Sequence, residues 1–145
     1  MSFPKIIVIA GDHSNIGKTT LAYKLCELLA NAVPIKIGHH PRKEHGAEHY
    51  YYAGATFAEI LSDHRGCSYL IIESNQILSQ VKPDCLIFLT GQGPVKPSAA
   101  TAINAADIIR GKYVDEIQQE RIARALNMDR TTVKKMIELS GKQLQ

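Results

Sequence analysis

The sequence is poor in several residue types that would point to particular protein classes. It has no tryptophan, only three cysteines and no hydrophobic run of membrane-spanning length among its 145 residues. Cys26, Cys67 and Cys85 are scattered and form no C-x-x-C pair, which excludes a full disulfide framework and a cysteine zinc site. We expect no signal peptide before the first hydrophobic segment. We therefore expect a cytoplasmic protein that makes no membrane contact.

The length and net charge of the chain limit the number of domains and the kinds of partner that we expect. A chain of this length with 45% hydrophobic residues can bury the core of one domain, and little remains for a separate substrate domain. The net charge of +3 is mild. It permits contact with nucleic acid but does not by itself predict one.

A small-residue loop near the start of the chain carries the strongest functional signal. Residues 6–9 are apolar and β-branched and predict a buried parallel strand. Residues 11–20 follow and read G-D-H-S-N-I-G-K-T-T, and leucines with helical spacing come next at residues 21–29. A strand, a loop ending in G-K-T and a helix form the context of a phosphate-binding loop.

The residue types of this loop suit a nucleoside triphosphate. Consecutive backbone N–H groups would point inward, and the positive end of the helix dipole would face the phosphates. Lys18 would reach the β- and γ-phosphates, Thr19 would ligate Mg²⁺, and Gly17 would let the backbone approach closely. The predicted phosphate-binding residues are Ser14, Asn15, Ile16, Gly17, Lys18, Thr19 and Thr20. The alternative is a glycine-rich turn with an incidental lysine.

The loop departs from the usual G-x4-G-K-[ST] spacing. Asp12 takes the place of the first glycine, and Gly11 lies one residue earlier. This form resembles the loops of dethiobiotin synthetase and the cobyrinic acid amide synthases. Both belong to the MinD and signal-recognition-particle-like class of P-loop proteins.

The rest of the chain alternates between strand and helix patterns. Further strands are predicted at residues 33–37, 69–73, 85–90 and 106–110, and helices at about 47–61 and from Ser98 to residue 105. Residues 92–97 have the composition of an irregular segment. The alternation predicts a three-layer α/β P-loop NTPase fold with a mostly parallel central sheet and a C-terminal helical hairpin. We assign residues 1–115 to the nucleotide-binding domain and residues 116–145 to a hairpin packed on it.

Two charged residues lie at or near the ends of predicted strands. Ligands of open α/β sheets bind outside the carboxyl ends of the strands, where Glu73 falls. This carboxylate could hold Mg²⁺ or position the attacking water, or it could simply cap a strand at the rim of the sheet. Lys36 interrupts an apolar strand and could contact a phosphate or extend from an edge into solvent. We therefore take Lys18 and Glu73 as candidate catalytic residues, Thr19 and Glu73 as metal ligands, and Lys36 as a nucleotide contact.

A histidine-rich loop leaves several possibilities open. Its members are His39, His40, His45 and His49. If a helix began early, the last two would share a face and could bind a transition metal. Arg42 and Lys43 lie inside the cluster and disfavour a metal, and Gly46 disfavours the helix. The loop could instead contact the nucleotide or a phosphorylated substrate, or it could simply be solvated.

Three later segments resemble one family. Residues 35–40, I-K-I-G-H-H, are similar to the I-K-H-x-H-H stretch of MobB, the molybdopterin-guanine dinucleotide biosynthesis adaptor. Residues 49–55 resemble the R-H-x-x-A-G-A of that family, and residues 70–73 resemble its L-V-E-G strand end. The resemblance implies a GTP-binding protein, usually dimeric, that assists the enzymes of molybdenum cofactor assembly. It also implies phosphate contacts at Gly17, Lys18 and Thr19, and a role for Glu73 near the nucleotide or metal.

The base of the nucleotide stays open between guanine and adenine. Guanine is often selected by N-K-x-D after a late strand, where the aspartate accepts from guanine N–H groups. Here Lys112 and Asp115 are one residue too far apart, and residues 104–107 have N-x-x-D spacing but precede the last predicted strand. The expected cofactors are therefore GTP or ATP, with Mg²⁺.

The tail resembles a helix-turn-helix over residues 119–137. Ala123 is the small residue at which two helices could cross, and Asn127 occupies a turn position that commonly needs a left-handed conformation. Val133 would be the apolar residue of the second helix, and Thr131 could cap it. The alternative is a plain helical hairpin that packs on the sheet or at a dimer interface.

The tail leads to a second functional hypothesis. Arg130, Lys134 and Lys135 would lie on or near an exposed second helix and could contact phosphates of DNA. One hypothesis is therefore a slow NTPase, expected from its class to be dimeric, that acts with an enzyme of molybdenum cofactor assembly. The other is a nucleotide-gated DNA-binding regulator. A metal-insertion NTPase is a third possibility and depends on the histidine loop alone.

Overall fold

A sheet of parallel strands with helices around it forms the protein. The computed structural model describes residues 3–12, 16–38, 50–52, 54–91 and 97–141. The strands in this part of the chain are β1 (Lys5–Gly11), β2 (Ala32–Gly38), β3 (Tyr50–Tyr52), β4 (Tyr69–Glu73), β5 (Cys85–Leu89) and β6 (Ile108–Ile109). The α-helices are α1 (Lys18–Leu28), α2 (Phe57–Asp63), α3 (Pro97–Ala105), α4 (Glu116–Leu126) and α5 (Arg130–Gly141), and a 3₁₀-helix spans Gln76–Ser79.

The sheet is parallel throughout. Its strand order is β3-β2-β4-β1-β5-β6, and each neighbouring pair is parallel. The prediction of an α/β protein with a mostly parallel central sheet is confirmed. Because all six strands run the same way, their carboxyl ends meet at one edge, and the loop after β1 lies at that edge.

Each face of the sheet is covered by its own hydrophobic cluster. Successive side chains of a strand point to opposite faces, so Ile7 and Ile9 of β1 belong to one cluster and Val8 to the other. The first cluster includes residues of α1, α4 and α5, and the second includes residues of α2, α3 and the 3₁₀-helix. These apolar, β-branched strands are buried on both faces, as expected for a parallel sheet between two layers of helices.

The helix predicted over residues 47–61 is wrong in its first part. Residues 50–52 form β3, which pairs with β2 from Lys36 to Gly38, and the helix begins only at Phe57. Three consecutive tyrosines favour a strand, and Gly54 follows with φ of 105°. Thr56 then caps α2 by accepting a hydrogen bond from the Glu59 amide at 3.2 Å. Residues 47–49 lie outside the described part of the chain.

α3 begins before Ser98, the residue predicted to cap it. Its first residue is Pro97, which ends the segment predicted to be irregular. Proline is well tolerated in the first turn of a helix because the amide it lacks has no partner there. Ser98 therefore lies inside the helix instead of at its N-cap.

Two helices joined by a short turn follow β6. Asp115 caps α4 by accepting from the Gln118 amide at 2.8 Å, and Asn127 ends the helix in a left-handed conformation with φ of 52°. Asp129, and not Thr131, lies just before α5 and accepts from the Thr132 amide at 2.7 Å. No helix in the described ranges is long and apolar enough to span a bilayer.

Candidate functional site

The loop after β1 lies at the point where the chain switches direction across the sheet. From β1 the chain passes through α1 to β2 on one side, and from β5 it passes through α3 to β6 on the other. The carboxyl ends of β1 and β5 therefore flank this switch point. Such switch points are where open α/β sheets bind their ligands.

Gly17 sets the conformation in which the loop enters α1. It is the N-cap of the helix and has φ of 98° and ψ of 15°, a left-handed conformation that favours glycine. Its carbonyl accepts the first helical hydrogen bond, from the Leu21 amide at 2.9 Å. Gly17 itself has no side chain that could cap this end, and the positive end of the helix dipole lies at the carboxyl edge of the sheet.

Thr19 and Glu73 meet beside this helix end. Glu73 ends β4 and aligns with Ile9 of β1, while Thr19 lies in the first turn of α1. The Thr19 hydroxyl donates a hydrogen bond to Oε1 of Glu73 at 2.6 Å. Glu73 is only 6% exposed, so its carboxylate is removed from bulk water and held against α1.

Lys36 approaches the same pair from β2. It aligns with Glu73 in the register of the two strands, so both side chains leave the same face of the sheet. Its Nζ lies 3.4 Å from Oγ1 of Thr19 and 3.7 Å from Oε1 of Glu73. The positive charge of this lysine therefore stands beside a buried carboxylate at the helix N-terminus.

These residues fit a magnesium ion. Thr19 and Glu73 supply a hydroxyl and a carboxylate oxygen 2.6 Å apart, and Mg²⁺ is usually held by one or two such protein oxygens together with substrate phosphates and water. Lys36 already balances the carboxylate with a cation at this point. Thr19 and Glu73 would hold Mg²⁺ next to a phosphate bound at the helix end.

Asn75, which was not predicted from the sequence, anchors the start of the loop by two hydrogen bonds to the backbone of Gly11. Its side-chain amide accepts from the Gly11 amide at 3.0 Å and donates to the Gly11 carbonyl at 2.8 Å. A Cβ on Gly11 would collide with the side chain of Ile16 and press on the carbonyl of Leu89. The signal in the sequence was an asparagine two residues after the strand-end carboxylate, although its partner lies 64 positions away.

Asp12 and Arg110 fasten the other side of the loop. Asp12 is 2% exposed and accepts a hydrogen bond from the Gly91 amide, beyond β5, at 2.7 Å. Nη2 of Arg110 donates to the Ile16 carbonyl at 2.6 Å, and Nη1 donates to the Thr90 carbonyl at 3.3 Å. Burial lowers the pKa of Arg110, and the charge of Asp12 partly offsets that effect. Asp12 and Arg110 thus connect the loop after β1 to the segment that follows β5.

The structure brings together part of the predicted site. Gly17, Lys18, Thr19, Lys36 and Glu73 gather at the carboxyl edge of the sheet, and Lys18 is the first residue of α1. Thr20 is exposed on the next position of the helix. Ser14 and Asn15 lie outside the described residues.

The histidine-rich loop also lies outside the described residues. His39, His40, His45 and His49 belong to it, so their role in metal or anion binding stays a prediction. Among residues the structure does describe, no group of three or more histidine, cysteine or acidic side chains is placed to hold a metal.

Neither stretch considered for guanine recognition presents a free carboxylate. Asp107 accepts from the Leu86 amide at 2.8 Å and from the Gln118 side chain at 3.3 Å, and burial raises its pKa. Asp115 is engaged in capping α4. The choice between GTP and ATP therefore stays open.

The basic residues of the tail divide into two groups. Arg130 donates to the Gln119 side chain at 3.1 Å and lies 3.6 Å from a carboxylate oxygen of Glu120. Lys134 and Lys135 are exposed on α5. The opposite face of α5 is buried against the sheet cluster, so only the outer face of this helix could meet a partner.

Neither the protein-family models nor the curated proteins compared with this chain match it. The arrangement around Thr19 and Glu73 is therefore the main indication of function. It combines a helix N-terminus, a left-handed glycine and two oxygens placed for a cation. This combination suits a bound polyphosphate.

Proposed function

We propose that this protein binds a nucleoside triphosphate with Mg²⁺ at the loop between β1 and α1 and hydrolyses it slowly. The observation that carries the proposal is the 2.6 Å hydrogen bond between Thr19 and Glu73 beside the N-terminus of α1. In an ordinary glycine-rich turn, nothing requires the hydroxyl after the G-K dipeptide to contact a carboxylate at the end of another strand. They do meet where a phosphate-bound Mg²⁺ is held.

Each residue has a role in this proposal. The backbone N–H groups at the start of α1 bind phosphate oxygens, and Lys18 neutralises charge on the β- and γ-phosphates. Bound Mg²⁺ supplies charge neutralisation at the transferring phosphoryl group. Thr19 and Glu73 hold that ion, and Glu73 can also orient the attacking water. Lys36 balances the local negative charge.

The wider role is proposed from the resemblance to MobB. In this proposal the nucleotide is GTP or ATP, the protein acts in the cytoplasm as a homodimer, and its partner is an enzyme of molybdenum cofactor assembly. Residues 70–73 of the resemblance include Glu73, and residues 35–40 include Lys36, so two of its segments reach the candidate site. Sedimentation analysis with and without nucleotide tests the dimer directly.

Calorimetric titration tests the nucleotide site. GTP, GDP, ATP and ADP are titrated in the presence of Mg²⁺ into the unmodified protein, Lys18→Ala and Lys24→Ala. Lys24 lies exposed on the same helix and makes a matched control. We expect saturable binding of one triphosphate that Lys18→Ala abolishes and Lys24→Ala preserves. Absence of binding to all four nucleotides would refute the proposal.

A nucleotide-gated DNA-binding regulator is the second candidate. The left-handed turn at Asn127 and the exposure of Lys134 and Lys135 on α5 favour it. Electrophoretic mobility shift at physiological salt tests this function with and without nucleotide. Loss of a shift in the Lys134→Ala/Lys135→Ala variant would support it, since each phosphate contact adds to affinity. If no DNA is shifted under any nucleotide condition, this candidate fails.

A further inference from the structure

Arg110 reaches the phosphate-binding loop from a distant part of the chain. It follows β6, and its side chain crosses to Ile16, which lies 94 positions earlier in the sequence. The bond from Nη2 to the Ile16 carbonyl is 2.6 Å long and charge-assisted. A second donor of the same guanidinium holds the Thr90 carbonyl after β5 at 3.3 Å. One side chain therefore links the loops that follow β1 and β5.

The carbonyl that Arg110 holds belongs to a peptide whose other end matters for phosphate binding. Ile16 and Gly17 share one planar peptide, and the structure shows no cis peptide bond in its described part. In a trans peptide the C=O and N–H bonds point in opposite directions. Fixing the Ile16 carbonyl toward Arg110 therefore fixes the Gly17 N–H away from Arg110.

That direction agrees with the layout of the site. Arg110 comes from the β6 side of β1, whereas Glu73 and Lys36 lie on the β4 and β2 side. Gly17 has a left-handed conformation and no Cβ, so side-chain sterics at this residue do not restrict the peptide that precedes it. The peptide that precedes a glycine can rotate more easily than other peptides. A hydrogen bond from outside the loop can therefore determine its orientation.

We infer that Arg110 is a positioning residue that orients the Ile16–Gly17 peptide so that the Gly17 N–H faces the phosphates. This inference rests on the proposed nucleotide site and adds the residue that pre-forms it. Arg110 is mostly withdrawn from solvent, and its Nε is buried with no hydrogen-bond partner within the described structure. The cost of burying that donor is consistent with a side chain held in place for its two carbonyl contacts.

The test uses Arg110→Met and Arg110→Lys, with Arg124→Met as the matched control on the exposed face of α4. Binding of the preferred nucleoside triphosphate and of inorganic tripolyphosphate is measured with Mg²⁺ at a temperature well below each melting point. We expect Arg110→Met to weaken both ligands by the same factor, about 10- to 100-fold. Arg110→Lys keeps one donor and should lose less, and Arg124→Met should match the unmodified protein.

A second readout needs no ligand. In amide spectra of ¹⁵N-labelled protein, the Gly17 resonance should move in Arg110→Lys while resonances of α4 stay in place. If Arg110→Met fails to fold, Arg110→Lys with this readout decides the question. Unchanged tripolyphosphate binding and an unmoved Gly17 resonance in Arg110→Lys would overturn the inference.

The remaining outcomes separate the inference from the proposed function. If the unmodified protein binds no nucleotide, the proposed function fails and the inference fails with it. If the unmodified protein binds a triphosphate and Lys18→Ala abolishes that binding, the proposed function stands; unaltered binding by Arg110→Met then refutes only the role of Arg110. A loss confined to nucleotides and absent for tripolyphosphate would mean that Arg110 contacts the base instead, which also refutes the positioning role.

Discussion

The hydroxyl of Thr19 donates a 2.6 Å hydrogen bond to Oε1 of Glu73, although 54 positions separate the two residues. Thr19 comes from the first turn of α1, and Glu73 is the last residue of β4. They meet because β4 pairs directly with β1, so both strands deliver their carboxyl ends to the same point. The proposed magnesium site depends on this pairing.

Glu73→Gln should remove the dependence of nucleotide binding on magnesium. The amide keeps the shape and can still accept from Thr19, but it loses the charge that Mg²⁺ requires. We expect triphosphate affinity in Mg²⁺ to fall by at least about tenfold, toward the value measured in a chelator. Glu27→Gln, an exposed change on α1, is the control and should retain the magnesium effect. Equal magnesium dependence in both variants would contradict the site.

Lys36→Met should weaken nucleotide binding more in a chelator than in Mg²⁺. Lys36 supplies a cation 3.7 Å from the Glu73 carboxylate, and this charge matters most when no metal is bound. Because the lysine is 45% exposed, the free energy of unfolding should fall by at most about 1 kcal/mol. Calorimetry and chemical denaturation measure the two effects. In the Glu73→Gln background the stability loss should disappear, and its persistence there would show that Lys36 acts elsewhere.

Gly17→Ala should damage both stability and binding. A left-handed residue with a Cβ costs about 1–2 kcal/mol, and relief of this strain would turn the loop away from its observed path. We expect a lower melting temperature and loss of measurable triphosphate binding. Gly66→Ala is the control, because a Cβ at Gly66 meets nothing within 4 Å. A fully active Gly17→Ala protein would mean that the loop conformation is not required.

Leu126→Ala should destabilise the whole protein, although Leu126 lies in the tail. Its side chain is fully buried in the same cluster as Ile7 and Ile9 of β1. Truncation of such a leucine costs about 2–5 kcal/mol in the free energy of unfolding. Ile117→Ala removes a residue that is 75% exposed and should cost no more than about 0.5 kcal/mol. Two separate denaturation transitions would instead indicate that the tail folds as an independent unit.

Cys26 should react slowly with alkylating reagents in the native protein. Burial raises the pKa of its thiol from 9.0 to about 11, which lowers the thiolate fraction at pH 8 by about 100-fold. Since the thiol ionises more easily in the unfolded chain, its contribution to stability should decline as pH rises from 9 toward 11. Iodoacetamide labelling followed by mass spectrometry measures the rate. A native rate at pH 8 equal to that in denaturant would contradict this prediction.

The sequence alone was sufficient where a local pattern determines a local structure. The apolar segments formed β1, β4 and β5 because continuous runs of apolar residues favour strands buried on both faces. The leucines that follow Gly17 predicted the helix that became α1, whereas the left-handed conformation of Gly17 was found only in the structure. Placing Glu73 at a strand end was likewise enough to bring it to the carboxyl edge, since all strands of the predicted sheet run in parallel.

Residues whose partners are remote in sequence could not be placed in this way. The three tyrosines at residues 50–52 favour a strand locally, but their pairing with β2 as β3 depends on the open edge of that strand, which the local sequence does not reveal. The bonds from Asn75 to Gly11 and from Arg110 to Ile16 depend on strand order, which brings loops 64 and 94 positions apart together. The sequence alone therefore indicated which residue types form the proposed phosphate-binding loop. Only the tertiary structure decided which side chains hold that loop in shape, because strand pairing determines which loops become neighbours.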